Sequence, residues 1–303
     1  MEPTEARKAP LTKLALQTTR VAVFFGEMSR GSLSSSAVCE PPHSPSWPAP
    51  SLLLAPDSAE QGRICHVLLD DTDLCDAVPV RARDQAFQEC VARVIALAPG
   101  AWSPDDTPVE MDDGIGLLIL EGLVIRRMGM DGRFGAELLG RGDLLRPSQE
   151  ATDALTLPLS TNRKVLAPTR IAILDLEFAG HAARYPQIAT RLVARTMNRS
   201  RNLAVLMAIH QHPRVDVRLH TLFWHLAERW GRMRADGVHL PLRLTHSVLA
   251  DLIAARRPTV SSALADLSRR GVLTCTGEGW HLTGESPREL YELTAIAALS
   301  SAT

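Results

Sequence analysis

No apolar run in this 303-residue chain approaches the roughly 18 residues that a membrane-spanning helix needs. The patch at residues 21–25 is also too short for the core of a secretory signal, so a soluble, cytoplasmic protein is expected. The five cysteines, Cys39, Cys65, Cys75, Cys90 and Cys275, are odd in number and contain no C-x-x-C pair. Neither a disulfide framework nor a zinc knuckle follows from them, and reduced thiols are the default in such a compartment. A Walker-type phosphate loop, a Gly-x-Ser-x-Gly elbow and a paired-carboxylate motif are all missing, which leaves an enzyme without positive support.

Net charge is lacking as well, with a formal balance of -1 at pH 7. That average conceals an asymmetry. Residues 57–113 hold thirteen Asp and Glu against four Arg, whereas residues 181–273 hold fifteen Arg, no Lys and five acids. A basic half of this kind suits a polyanionic partner, although arginine-rich helices also serve as solvated faces.

The basic half contains two short amphipathic segments joined by a tight break, within residues 244–273. In the first, Thr245 is the expected N-cap, and Val248, Leu249, Leu252 and Ile253 share one side. In the second, Pro258 stands where a first helical turn tolerates it, Val260, Leu264 and Leu267 point inward, and Gly271 ends the run. Ala254 and Ala255 between them are small enough for two helices to cross closely. The pattern is a helix-turn-helix. Arg256, Arg257, Thr259, Ser261 and Ser262 place donors suited to phosphates or base edges on the outward side. A buried two-helix hairpin with a polar rim is the competing reading. Residues 272–276, 277–279 and 280–283 then read as strand, Gly-rich turn and strand, which is the wing of a winged helix and favours the nucleic-acid alternative.

The remaining chain divides by composition. Residues 1–60 are rich in Pro and Ser and are expected to be disordered, with Met28 a second candidate start. A β-roll is expected over residues 61–180. There, residues 64–69 read as strand, and residues 82–95 as a short helix on the spacing of Phe87, Val91, Val94 and Ile95. Strands at 115–120 and 123–128 flank Glu121-Gly122, residues 134–139 lead to Gly140-Arg141-Gly142-Asp143, and strands at 164–166 and 170–175 flank Ala167-Pro168-Thr169. Residues 181–212 carry a long helix from Pro186. Its Ala189, Leu192, Thr196, Arg199, Leu203, Leu206 and His210 recur in steps of three and four, the spacing of a coiled-coil seam. Self-association and packing on the chain's own roll both fit that spacing. The winged helix is expected over residues 213–285. It begins with an amphipathic helix at 215–230, with Leu219, Leu222, Phe223, Leu226 and Trp230 inward, and continues with a hairpin made of 238–240 and 242–244. Residues 286–303 read as a C-terminal helix or tail.

The order of a β-roll, a long helix and a winged helix resembles the Crp/Fnr family of transcription regulators over residues 64–284. The resemblance rests most on residues 215–219 and on the phrase from Leu244-Thr245-His246 through Val260. It rests more loosely on Leu120-Glu121-Gly122, Asp131-Gly132-Arg133 and Leu139-Gly140-Arg141-Gly142-Asp143. It implies an α+β chain with a jelly-roll-like sensor domain that forms a homodimer along the long helix, through Leu192, Thr196, Arg199, Leu203, Leu206 and His210. The partner implied is double-stranded DNA, at a pseudo-palindromic site with half-sites roughly 34 Å apart, with RNA polymerase as a further partner and no membrane.

Carried over position by position, Arg257 matches the first Arg of the family's recognition helix and implies a guanine contact. Thr259 and Ser261 imply backbone or base-edge contacts, and Thr245, His246 and Ser247 imply phosphate contacts. Arg256, Ser262, Arg269 and Arg270 complete the expected DNA-facing set. Two departures bear on the target. The family's Arg-Glu pair is Arg257-Pro258 here, and its second base-reading Arg falls on Ser262, so a site other than the family's best-known one is expected.

The sensor half departs further. The Gly-Glu and Arg-Ser pairs that cradle a cyclic phosphate in the family are absent from residues 142–163, and Leu203 and Ala204 fall where its polar adenine pair would stand. Cyclic AMP is therefore not the expected effector, no cofactor is certain, and Arg146 or Arg163 can serve some other anionic small molecule. Two alternatives stand beside this reading. One is a ligand-independent or architectural DNA-binding dimer. The other is a redox or metal sensor acting through its cysteines, although widely spaced thiols and the pair His210 and His212 have more ordinary readings as buried or solvated side chains.

Overall fold

Two fifteen-residue strands, β4 (Gly116–Met130) and β7 (Ser160–Leu174), form the spine of the N-terminal half. In this computed structural model the described residues are 63–103, 114–130, 133–146 and 160–285. The expected disordered segment at 1–60, the expected C-terminal helix or tail at 286–303 and residues 131–132 of the expected turn lie outside them. The antiparallel sheet runs β1 (Ile64–His66), β2 (Val91–Leu97), β7, β4, β5 (Arg133–Gly140), with β3 (Gly100–Trp102) on β7 and β6 (Leu144–Leu145) on β4.

The strands expected on either side of Glu121-Gly122, and of Ala167-Pro168-Thr169, are in each case one continuous bent strand. The cause lies at Gly122, whose φ of +102 suits glycine and whose missing Cβ would sit 2.2 Å from Thr169 Oγ1. That hydroxyl accepts from Leu123 N at 3.2 Å and donates to Ala167 O at 2.7 Å. The register shifts beside it, between Ile119 and Val124, so both strands bend together without ending. Ile119, Val124, Leu139, Val165 and Ile171 pack as one buried cluster of the roll.

Two further elements differ from expectation. Of residues 64–69, only Ile64–His66 are strand, because Val67–Asp70 turn into the short helix α1. The helix expected at 82–95 is α3 (Val80–Glu89), and the β-branched run that follows is β2, which lies between β1 and β7. The spacing of Phe87, Val91, Val94 and Ile95 fits either structure; cross-strand pairing with Ile171 and Ile173 decides for a strand. Between α1 and α3, α2 (Thr72–Ala77) is capped by Asp71, whose carboxylate accepts from Leu74 N at 3.2 Å.

After α4 (Leu176–Ala182) comes the long helix α5 (Pro186–Gln211). Its side chains Leu192 and Leu206 are 3% and 8% exposed, packed in the chain's own core. Arg199 bonds Glu137 at 2.7 Å, and His210 Nε2 donates to Leu252 O at 2.7 Å. The seam read from the sequence is therefore largely the inward face, although its Ala189 and Thr196 are exposed. One residue further along, Val193, Met197, Ser200, Ala204, Met207 and Gln211 repeat the same alternation of four and three, all exposed and none charged.

The last part is α6 (Val215–Trp230), β8 (Arg232–Arg234), β9 (Gly237–Leu240), α7 (His246–Leu252), α8 (Arg257–Arg269), β10 (Leu273–Thr276) and β11 (Gly279–Leu282). The strand order is β10-β11-β9-β8. β9 pairs with β8, not with residues 242–244, which are not a strand and instead bury Leu242 and Leu244. Leu219, Leu222, Phe223 and Leu226 of α6 meet the inward residues of α7, α8 and the wing in one core, where the Phe223 and Trp280 rings lie 4.9 Å apart. Leu123, Ile125, Ala136 and Leu138 of the roll belong to the same core, and Arg127 of β4 pairs with Asp251 of α7.

Candidate nucleic-acid interface

The helix-turn-helix is built by local rules. Thr245 caps α7, its Oγ1 accepting from Val248 N at 3.3 Å. After α7 the chain closes by two bonds, Ala255 N to Ala250 O at 2.9 Å and Ala254 N to Asp251 O at 3.3 Å, with Ala254 left-handed at φ +51. Among the described residues no other non-glycine has a positive φ, so the tight turn stores strain of roughly 1 kcal/mol at this residue. Val260, Ala263, Leu264 and Leu267 of α8 are buried, which fixes the opposite side of that helix outward.

The exposed side carries most of the residues singled out from the sequence. Arg256, Arg257, Thr259 and Ser262 are exposed at the start of α8, and Thr245 and Ser247 are exposed at the start of α7. Arg256 is the N-cap of α8 and supplies no side-chain cap; Pro258 has no N–H, so the Arg257 and Thr259 amides and two exposed guanidiniums are what the start of the helix offers, an arrangement suited to phosphate. Ser261 and Ser262 donate their hydroxyls back to Arg257 O and Pro258 O, both at 3.2 Å. Ser261 Oγ also bonds His246 Nδ1 at 2.9 Å, which joins α7 to α8. Burial, and after it the Arg257 charge, hold the His246 imidazole below its ordinary pKa.

At the far end of α8, Arg269 and Arg270 are engaged locally, Arg269 with Asp266 at 3.3 Å and Arg270 with Asp216 at 3.4 Å. They are less committed to an outside partner than the residues at the start of the helix. Other arginines of the basic half are engaged within the fold as well. Arg184 reaches Glu89 at 2.7 Å, Arg191 reaches Asp73 at 3.4 Å, and Arg195 reaches Asp71 at 2.6 Å and Asp73 at 2.7 Å. Part of the basic half therefore neutralises the acidic half within the fold, and the exposed arginines beyond these pairs include Arg201 of α5, Arg232 and Arg234 of β8, Arg243 and those of the helix-turn-helix.

The effector candidates are not alike. Arg146 is exposed after β6, whereas Arg163 is 7% exposed on β7, cross-strand from Trp102 and Arg126. Arg126 in turn pairs with Glu137, the carboxylate that Arg199 also holds. The sequence did not mark Glu137, Asp71, Asp73 or Arg195, since their pairing joins residues far apart in the chain. The complementary charges of the two halves were the only signal.

Cys65 and Cys90 are buried, and burial pushes both thiols up to about 11, which makes each a poor nucleophile near neutral pH. Among the described residues no cluster of His, Cys, Asp and Glu has the makings of a metal site, and no helix is long and apolar enough to cross a membrane.

Residues 217–293 match the family described as the Crp-like helix-turn-helix domain. No curated protein matches the chain. Solved structures do. A cyclic nucleotide-binding domain containing protein from Listeria monocytogenes EGD-e is 14% identical, with 70% of this chain and 96% of that one covered and a TM-score of 0.52. A double mutant of CooA from Carboxydothermus hydrogenoformans is 17% identical, with 67% of this chain and 87% of that one covered and a TM-score of 0.50. FixK2 from Bradyrhizobium japonicum is 17% identical, with coverage of 67% and 96% and a TM-score of 0.47. The first two share the fold of this chain.

Proposed function

We propose that this chain, a DNA-binding regulator of the Crp/Fnr type in its fold and its helix-turn-helix domain, acts as a homodimer that reads a pseudo-palindromic duplex with one α8 in each of two major-groove half-sites. The observation that carries the reading is the start of α8. Its inward residues are buried, while Arg256, Arg257 and Thr259 stand exposed at an uncapped helix N-terminus. Arg257 is assigned to a guanine edge, Arg256 and the start of α7 to phosphate, and Thr259 to either. Ser261 is assigned to holding α8 in place, because its hydroxyl is engaged within the domain.

The dimer is assigned to the outward stripe of α5, Val193, Met197, Ala204 and Met207, in place of Leu192 and Leu206. A charge-free stripe repeating every three and four residues over residues 193–211 of α5 suits a partner copy better than water. Regulation follows as a population shift: the roll and α5 set the relative placement of the two reading heads, and an effector other than cyclic AMP favours the spacing that spans both half-sites. RNA polymerase is a further partner on this reading. Mapping of bound DNA across a genome tests it; the expected result is a single enriched motif with two-fold symmetry, and uniform recovery of all sequences would reject it.

A further inference from the structure

The turn at residues 140–143, α5 and α6 enclose a cleft of about 620 Å³, which is the size of a small-molecule site. It touches three parts of the chain at once: the roll, the long helix and, through α6 and Leu252 of α7, the winged helix. Its apolar lining includes Leu203, Leu206, Leu222 and Leu226.

Its walls carry charges of both signs, but these are unequally engaged. Arg195 donates to both oxygens of Asp71 at 2.6 and 2.7 Å and to Asp73 at 2.7 Å. Arg199 holds Glu137 at 2.7 and 3.2 Å and donates to Leu144 O at 2.8 Å. Arg229 holds Asp143 at 2.8 Å. Asp71, Asp73, Glu137 and Asp143 are thus answered by arginines from within the fold, while Glu228, 81% exposed, faces His225 at 3.7 Å. Of the donors, Arg201 on the rim has no carboxylate partner among the described residues, and Asn198 and Asn202 add amides beside it. Arg141 donates to the backbone Asp70 O, and an apolar lining beside Arg201, Asn198 and Asn202 suits a ligand with an apolar body and an acidic head.

We propose that this cleft binds a small amphipathic organic anion, with its apolar part on the leucines of α5 and α6 and its acidic group at Arg201. Because such a ligand bridges the roll, α5 and α6, it favours one placement of the winged helix over others. The binding half of the proposal stands alone; the coupling half rests on the DNA-binding function above.

The probe is anilinonaphthalene sulfonate, an aromatic sulfonate that fluoresces in apolar surroundings, titrated into the full chain and into its Arg201→Glu and Asn198→Trp variants. Both substituted residues are exposed, and thermal melts check that the fold is kept. The expected result is saturable binding of one probe per chain, weakened roughly tenfold by Arg201→Glu and abolished by Asn198→Trp. Equal binding to all three chains, or no saturable binding, overturns the site. In the same samples, fluorescence anisotropy of labelled duplex DNA is expected to shift severalfold in affinity on probe saturation for the natural chain and not for Asn198→Trp. An unchanged DNA affinity at saturation overturns the coupling. Probe binding by a chain that binds no DNA at all overturns the functional reading and leaves the cleft standing.

Discussion

His246 Nδ1 lies 2.9 Å from Ser261 Oγ, so the first residue of α7 holds α8 in place. Ser261 uses its own proton on Arg257 O at 3.2 Å, which makes Nδ1 of His246 the donor in this bond. His246→Ala is expected to lower the stability of the chain by about 1 kcal/mol and to weaken DNA binding severalfold. Urea unfolding and anisotropy check the two effects separately.

The same histidine gives a pH dependence. Its pKa in the fold lies below the usual 6.5, because burial and Arg257 disfavour the imidazolium. The unfolded chain therefore takes up the proton first as pH falls. The contribution of neutral His246 is fully present above about 6.5 and is lost as pH drops below that value. His246→Gln is expected to flatten the fall in stability as pH drops below about 6.5, to which His225, also lowered by burial, contributes as well. An unaltered slope in His246→Gln would remove His246 from this account.

Arg257→Ala is expected to cost about 1 to 3 kcal/mol at one base position and to relax specificity there. Competition between the natural site and its single-base variants measures this. Equal loss on specific and random DNA would instead make Arg257 a phosphate contact.

The stripe on α5 predicts a split between two substitutions. Ala204→Arg places a charge in the outward seam and is expected to give a monomer in sedimentation. Leu192→Ala, one step inward, is expected to leave the oligomeric state unchanged and to cost about 2 to 5 kcal/mol of stability through the cavity it opens.

Arg195 joins α5 to the segment around α2 through two carboxylates and is largely shielded from solvent. Arg195→Ala leaves Asp71 buried without its partner and is expected to destabilise the chain by about 3 kcal/mol in urea unfolding.

What could be read from the sequence was what local chemistry decides. Thr245 as a cap, Pro258 in a first turn, Gly271 after α8 and the Gly-rich turn of the wing each act within a few residues, and the structure places the two helices and the wing on them. The strands of the roll were less legible, because Gly122 bends β4 by approaching Thr169 on another strand, a contact that no local spacing encodes. The residues read as a seam on α5 fall largely on its inward face for a similar reason. Two stripes on that helix share the spacing, and only the packing of Leu192 and Leu206 on the rest of the chain tells inside from outside. The charge asymmetry was real, yet the ion pairs from Arg184, Arg191 and Arg195 to the acidic half show that some of it serves the fold.

The most direct test of sequence-specific reading by a dimer is selection of random duplexes on the full chain, followed by affinity measurement at fixed salt on the selected and the shuffled site. Sequence-specific reading by a dimer predicts an enriched site with two-fold-related halves roughly 34 Å apart, bound at least about a thousandfold more tightly than its shuffled form. Equal affinity for the two duplexes would contradict it.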